Sequence, residues 1–132
     1  MATGGSLMLL DTCALLWLAS GSKELSARAR ARIDGAAEVY VSAITGFEIA
    51  LKCGAGKLRL PVGPSEWFKN VLGHHNVSVA PLDLEICTLA AELPHIHRDP
   101  CDRFIIATAT LNDWPVVTGD QNFRKYGVET LV

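Results

Sequence analysis

Paired cysteines are what the sequence lacks first. Cys13, Cys53, Cys87 and Cys101 are scattered, with no CxxC pair among them, which argues against both a zinc knuckle and a disulfide framework and suits a reducing, cytoplasmic home. Charge of either sign is not in excess: 12 Lys and Arg stand against 14 Asp and Glu, for a net −2. General attraction to nucleic acid is therefore not expected, and any such contact has to come from a local basic patch. Long apolar runs are missing too. The segment from Leu7 to Ala19 is too short for a bilayer, is interrupted by Asp11 and has no basic residue before it, which argues against both a membrane span and a signal peptide. Internal repeats, linkers, low-complexity tracts and DNA-reading motifs are likewise missing.

What is there suffices for one compact domain: 132 residues, 49% hydrophobic and 20% charged. Residues 1–6, MATGGS, read as a loose leader, and 7–132 as the domain. LMLL reads as a buried strand ending at Asp11, and TCALLWLAS has helical apolar spacing that stops near Gly21. Leu25 and Ser26 predict a staple and cap for a helix over ARARARID. EVYV follows as a strand, then Ser42 as the cap of a helix over AITGFEIALK that ends at Gly54 and Gly56. A short helix is expected from Ser65 to Leu72, a strand at VSVAPL, a helix capped by Asp83 and closed at Pro94, a helix from Pro100, and strands at PVVT and near VETLV. This alternation predicts an α/β fold, a single three-layer α/β/α domain with a mainly parallel central sheet. Such sheets carry their sites beyond the carboxyl ends of the strands.

Four acids fall at that edge. Asp11 and Asp120 follow predicted strands, while Glu48 and Asp102 are expected in the first turns of helices that begin there. Each has a plain alternative: Asp11 as a helix cap, Asp120 as a turn residue beside Gly119, Glu48 as the partner of Lys52 four residues on, and Asp102 as a first-turn carboxylate that stabilises the positive end of its helix. In HRDPCDRFIIATA, Asp99 suits the cap and Pro100 the first helical position. Helical spacing puts Asp102 on the face of Ile106 and Ala109, which should point inward. Two carboxylates 4 Å apart repel by about 4 kcal/mol at an effective dielectric of ~20. A converging set therefore needs a cation, and an all-oxygen cluster suits Mg²⁺ or Mn²⁺.

The stretches LMLLDTCALLWL, SAITGFEIALKCGAGKLRLP, LPHIHRDPCDRFIIATA and VVTGDQNFRKYGV together resemble the PIN-domain nucleases, and among them the VapC-like toxins of toxin–antitoxin pairs. The likeness covers nearly the whole chain. It implies a PIN-like fold and a Mg²⁺- or Mn²⁺-dependent endoribonuclease whose catalytic, metal-binding acids fall on Asp11, Glu48, Asp102 and Asp120, with Asp99 as an additional member. It also implies supporting roles for Thr12, Ser42 and Thr118, an RNA substrate, a homodimer, and a VapB-like antitoxin through which any DNA contact would be indirect. No membrane association is implied. Where many relatives have histidine or asparagine this chain has Cys13, and where close ones have phenylalanine it has Cys101.

Past an acidic centre, RNA needs cationic guidance. Lys52, Lys57, Arg59, Arg98, Arg103, Arg124 and Lys125 are the candidates, each with ordinary solvated charge as the alternative; Arg103 and Lys52 are assigned to substrate binding. Arg28, Arg30 and Arg32 do not share a helical face and read as solvated. Trp17, Trp67, Trp114 and Phe123 read as core or dimer contacts, and the four histidines as loop or surface residues with His97 near the site. Two other classes stay in view. A non-catalytic PIN-like module would bind RNA or protein and keep the acids for structure. A different Mg²⁺ enzyme, of the haloacid-dehalogenase or receiver type, expects acids this chain does not place: a second aspartate where Cys13 stands, or an acidic pair before the phosphoacceptor.

Overall fold

The computed structural model describes residues 6–132. The sequence-read leader, apart from Ser6, lies outside the described residues; the Ser6 carbonyl accepts from the backbone N–H groups of Ala37 and Glu38. Five parallel strands, β1 (Leu7–Leu10), β2 (Glu38–Ser42), β3 (Val77–Ala80), β4 (Val116–Val117) and β5 (Thr130–Leu131), lie in the order β3-β2-β1-β4-β5. Helices α1 (Thr12–Ser20), α2 (Ala27–Gly35), α3 (Ala43–Gly54), α4 (Pro64–His75), α5 (Leu84–Glu92) and α6 (Pro100–Asn112) connect them, with a 3₁₀ turn over Gln121–Tyr126. Among the described residues no helix is long and apolar enough to cross a membrane.

Alternation along the strands builds two cores. Met8 and Leu10 point to one face of the sheet, with Val39, Val41 and Val117, and pack there against Ala14, Leu15, Ile33, Ile49 and Trp67. Leu9 and Val116 point to the other, against Ile86, Ala90, Ile105, Ile106 and Phe123. Period-two alternation between two helical layers is what a sheet buried on both faces requires. The caps fall where the sequence puts them: the side chains of Asp11, Ser26, Ser42, Asp83 and Asp99 accept from backbone N–H groups of the first turns of α1, α2, α3, α5 and α6.

Three expectations need correction. Helix α4 runs from Pro64 to His75, beyond Leu72, and stops only where Asn76 turns left-handed at φ 55°. The last two strands are two residues each, and the 3₁₀ turn between them was not foreseen. Glu48 is the sixth residue of α3 and so sits in its second turn, not its first.

The sheet order fixes where a crevice opens. From β1 the chain passes to β2 on one side, and β4 returns to the other, pairing Leu10 with Val117. The carboxyl ends of β1 and β4 are thus the topological switch point, where neighbouring connections diverge and leave a gap.

Candidate active site

Asp11 leaves β1 at that gap, and Thr118 to Asp120 leave β4 beside it. Each acid is held by its neighbours. Asp11, 5% exposed, accepts from Ala14 N at 2.8 Å through Oδ1 and from the Thr118 hydroxyl at 2.5 Å through Oδ2. Thr118 Oγ1 in turn accepts from Asp120 N at 3.0 Å, so one hydroxyl ties both acids to the end of the sheet. Glu48, 7% exposed, accepts from Thr12 Oγ1 at 2.7 Å and from Lys52 Nζ at 2.9 Å. The Lys52 pairing expected from spacing is therefore present, but on a buried carboxylate. Thr45, unforeseen, is fully buried and shares a 3.0 Å hydrogen bond with Thr12.

Asp102, at the third position of α6, is half-buried with Ile106 and Ala109 inward below it. Its Oδ2 lies 3.1 Å from His97 Nε2, which also lies 2.7 Å from Asp120 Oδ2. Asp99 caps α6 through Cys101 N at 2.9 Å. Asp11, Glu48, Asp99, Asp102 and Asp120 all line one cavity of about 580 Å³, together with Thr12, Cys13, Trp17, Glu24, Lys52 and Gly119. Glu24 and Trp17 were not foreseen there. Gly119 carries a signal for Trp17: a Cβ on it would meet the end of the indole at 3.1 Å, so a larger residue would need the ring to shift by a few tenths of an ångström.

The electrostatics report the crowding. Burial pushes the Asp102 carboxyl up to about 7, with Asp99, Glu48 and Asp11 adding repulsion and His97 opposing it. Burial likewise raises Asp11, against the hydrogen bonds from Thr118 and Ala14, and the charges of Asp120 and Glu48 add to the rise. These acids feel one another, as convergence requires. Cys101 is pushed up to about 11 by burial and the surrounding acids, and Cys13 is raised for the same reasons, so neither offers a thiolate near neutrality. The carboxylate oxygens that face the cavity fit a hard divalent cation.

Two assigned residues point elsewhere. Arg103 was expected to meet a phosphate, but it is buried, and its donors all go to backbone carbonyls: Nε to Ala90 O, Nη1 to Pro94 O and His97 O, Nη2 to Ala91 O and Leu93 O. Five donors are spent on five acceptors. Ser42, given a supporting role, spends its hydroxyl on Ile44 N at the start of α3 and is not among the cavity residues. Of the candidate cations only Lys52 lines this cavity among the described residues. Arg98 and Arg103 border a separate, mainly apolar groove between α5 and α6.

The match to known proteins spans the same elements. A model of the PIN domain fits residues 8–129, nearly the whole chain. The chain belongs to the PIN domain family. This PIN domain is 31% identical to Ribonuclease VapC22 of Mycobacterium tuberculosis (strain ATCC 25618 / H37Rv) over 121 residues, covering 90% of this chain and 91% of that protein. Among solved structures it is similar to VapBC2 from Rickettsia felis bound to a promoter DNA fragment, at TM-score 0.71 and 12% identity over 95% of this chain and 97% of the other. It is similar also to FitAcB from Neisseria gonorrhoeae, at TM-score 0.66 and 23% identity over 95% and 96%. The fold class and the family resemblance read from the sequence are thereby borne out.

Proposed function

We propose that this PIN domain is a Mg²⁺- or Mn²⁺-dependent endoribonuclease and the toxin of a toxin–antitoxin pair. The observation that carries the reading is the set of acids lining one cavity at the switch point, two of them with raised proton affinity. Burial is the chief cause in both, and the neighbouring acids add to the rise, so a bound cation would relieve part of that cost. Lys52 pairs with Glu48, and the ring of His97 lies between only two of the acids.

A divalent ion bound there would stabilise charge on the phosphate oxygens and help activate a water. Asp11, Glu48, Asp102 and Asp120 would hold it, with Asp99 alongside. Thr118 and Thr12 fix the carboxylates of Asp11 and Glu48 by hydrogen bonds, an outer-shell function that keeps ligand oxygens aimed at the cavity. Lys52, exposed at the cavity, would meet a phosphate of the RNA.

The names of the relatives support the partners. Ribonuclease VapC22 supports RNA as substrate, and the VapBC complexes support a VapB-like antitoxin; any DNA contact of this chain would be indirect, through that partner. A homodimer fits the exposed side chains of Phe47, Leu51 and Leu84, and a cytoplasmic location fits the unpaired cysteines. The test is cleavage of total RNA by the purified chain with Mg²⁺ or Mn²⁺. Activity should vanish on chelation and in Asp11→Asn, and undiminished cleavage in Asp102→Asn would falsify the assignment.

A further inference from the structure

His97, Asp102 and Asp120 each offer an atom within 4.8 Å of the others, and by distance alone this trio is a metal-ligand set. Hydrogen bonding says otherwise for the histidine. We propose that His97 is a positioning residue that never enters the metal's coordination: its Nε2–H clamps the Oδ2 atoms of Asp102 and Asp120 together, while its other nitrogen is held by the backbone. The proposal rests on the nuclease reading above for what the two acids do.

The Asp99 backbone N–H points at His97 Nδ1 at 3.2 Å. A backbone amide can only donate, so Nδ1 is an acceptor and the ring hydrogen sits on Nε2. Nε2 then has no lone pair for a metal. It has instead two acceptors, Asp120 Oδ2 at 2.7 Å and Asp102 Oδ2 at 3.1 Å. A metal-bound histidine shows the opposite pattern, giving its outer N–H away and turning a lone pair to the ion.

The rest of the loop enforces this choice. The Tyr126 hydroxyl receives His97 N at 2.7 Å and Ile96 N at 3.1 Å and donates to Pro94 O at 2.7 Å. Arg103 holds the carbonyls of Leu93, Pro94 and His97 from the other side. The imidazole packs edge-on against buried Phe123, with centroids 6.0 Å apart and planes at 86°. Ring and backbone are fixed together, so a flip that offered a lone pair to the cavity would leave the Asp99 amide without its acceptor. Buried Arg103 and the half-buried Tyr126 thereby gain a purpose that no contact with RNA provides.

The test uses the full chain with ¹⁵N-labelled histidine. Expected is a pyrrole-type Nε2 and a pyridine-type Nδ1 for His97, assigned by loss of its signals in His97→Gln, both in metal-free protein and after saturation with Mg²⁺. A pyridine-type Nε2 in either state overturns the proposal. Mn²⁺ affinity, read by calorimetry, should fall about 10–100-fold in His97→Leu, the usual cost of losing an outer-shell partner. It should largely return in His97→Gln, whose amide restores an N–H. Unchanged affinity in His97→Leu overturns the clamp alone. Failure of the unaltered protein to bind Mn²⁺ overturns the nuclease reading instead, and the metal-free nitrogen signals still decide the tautomer.

Discussion

Replacing Asp102 by Asn should stabilise this protein when divalent ions are removed, which is unusual for a half-buried polar residue in the first turn of a helix. Raising a carboxyl from 3.8 to about 7 makes its ionised form costly in the folded state by about 4 kcal/mol, at roughly 1.4 kcal/mol per pH unit. The side chain keeps 18% exposure, and solvent screening reduces that to about 2 kcal/mol. Losing a carboxylate near the helix N-terminus gives back about 0.5 kcal/mol. The Asn oxygen can still accept from His97, so no buried donor is orphaned. The net gain of about 1.5 kcal/mol corresponds to a rise of about 6 °C in Tm for a chain of this size.

The assay is thermal unfolding by circular dichroism at pH 8 in chelator. The proton affinity is raised in the folded state, so the cost is full above pH 7. It declines as pH falls toward 3.8, where the unfolded chain's carboxyl protonates as well; the advantage of Asn should shrink accordingly between pH 7 and 4. Excess Mg²⁺ should reverse the order, because only the native acid set gains binding free energy. A Tm unchanged or lowered at pH 8 in chelator would refute the claim that burial and the neighbouring acids make the ionised Asp102 costly in the fold.

Two further outcomes follow from the same geometry. Thr118→Val removes the hydroxyl that donates to Asp11 and accepts from Asp120 N, and should cost about 2 kcal/mol at pH 8; a denaturant midpoint equal to that of the unaltered chain would show that the bond contributes nothing. Mn²⁺ affinity should fall about tenfold per pH unit below 7, where a cation must displace the proton on Asp102, and level off above it. Calorimetry in buffers of different ionisation enthalpy reads the released proton, and a flat profile from pH 5.5 to 8 would count against it.

The order of helices and parallel strands was legible because apolar periodicity and capping residues act locally. Asp11, Ser26, Ser42, Asp83 and Asp99 announce their helices in the sequence and cap them in the structure. The two-residue strands β4 and β5 were legible only roughly, since so short a pairing depends on its neighbours more than on its own residues. The acids that line the cavity were legible because Asp11 follows β1 directly and Asp120 stands three residues beyond β4. Their supports were harder to see. Thr45 reaches Glu48 only through Thr12, 33 residues away. Arg103 was misread because its position after Asp102 suggested a phosphate contact, whereas the carbonyls that consume its donors come together only once the loop after α5 has folded over it.

The most direct measurement is a Mn²⁺ soak of crystals of the intact chain, read for anomalous scattering. The account requires a peak inside the cavity bounded by Asp11, Glu48, Asp102 and Asp120, with carboxylate oxygens as its protein ligands and His97 outside them. A well-occupied peak only elsewhere, or none at saturating Mn²⁺, would contradict it.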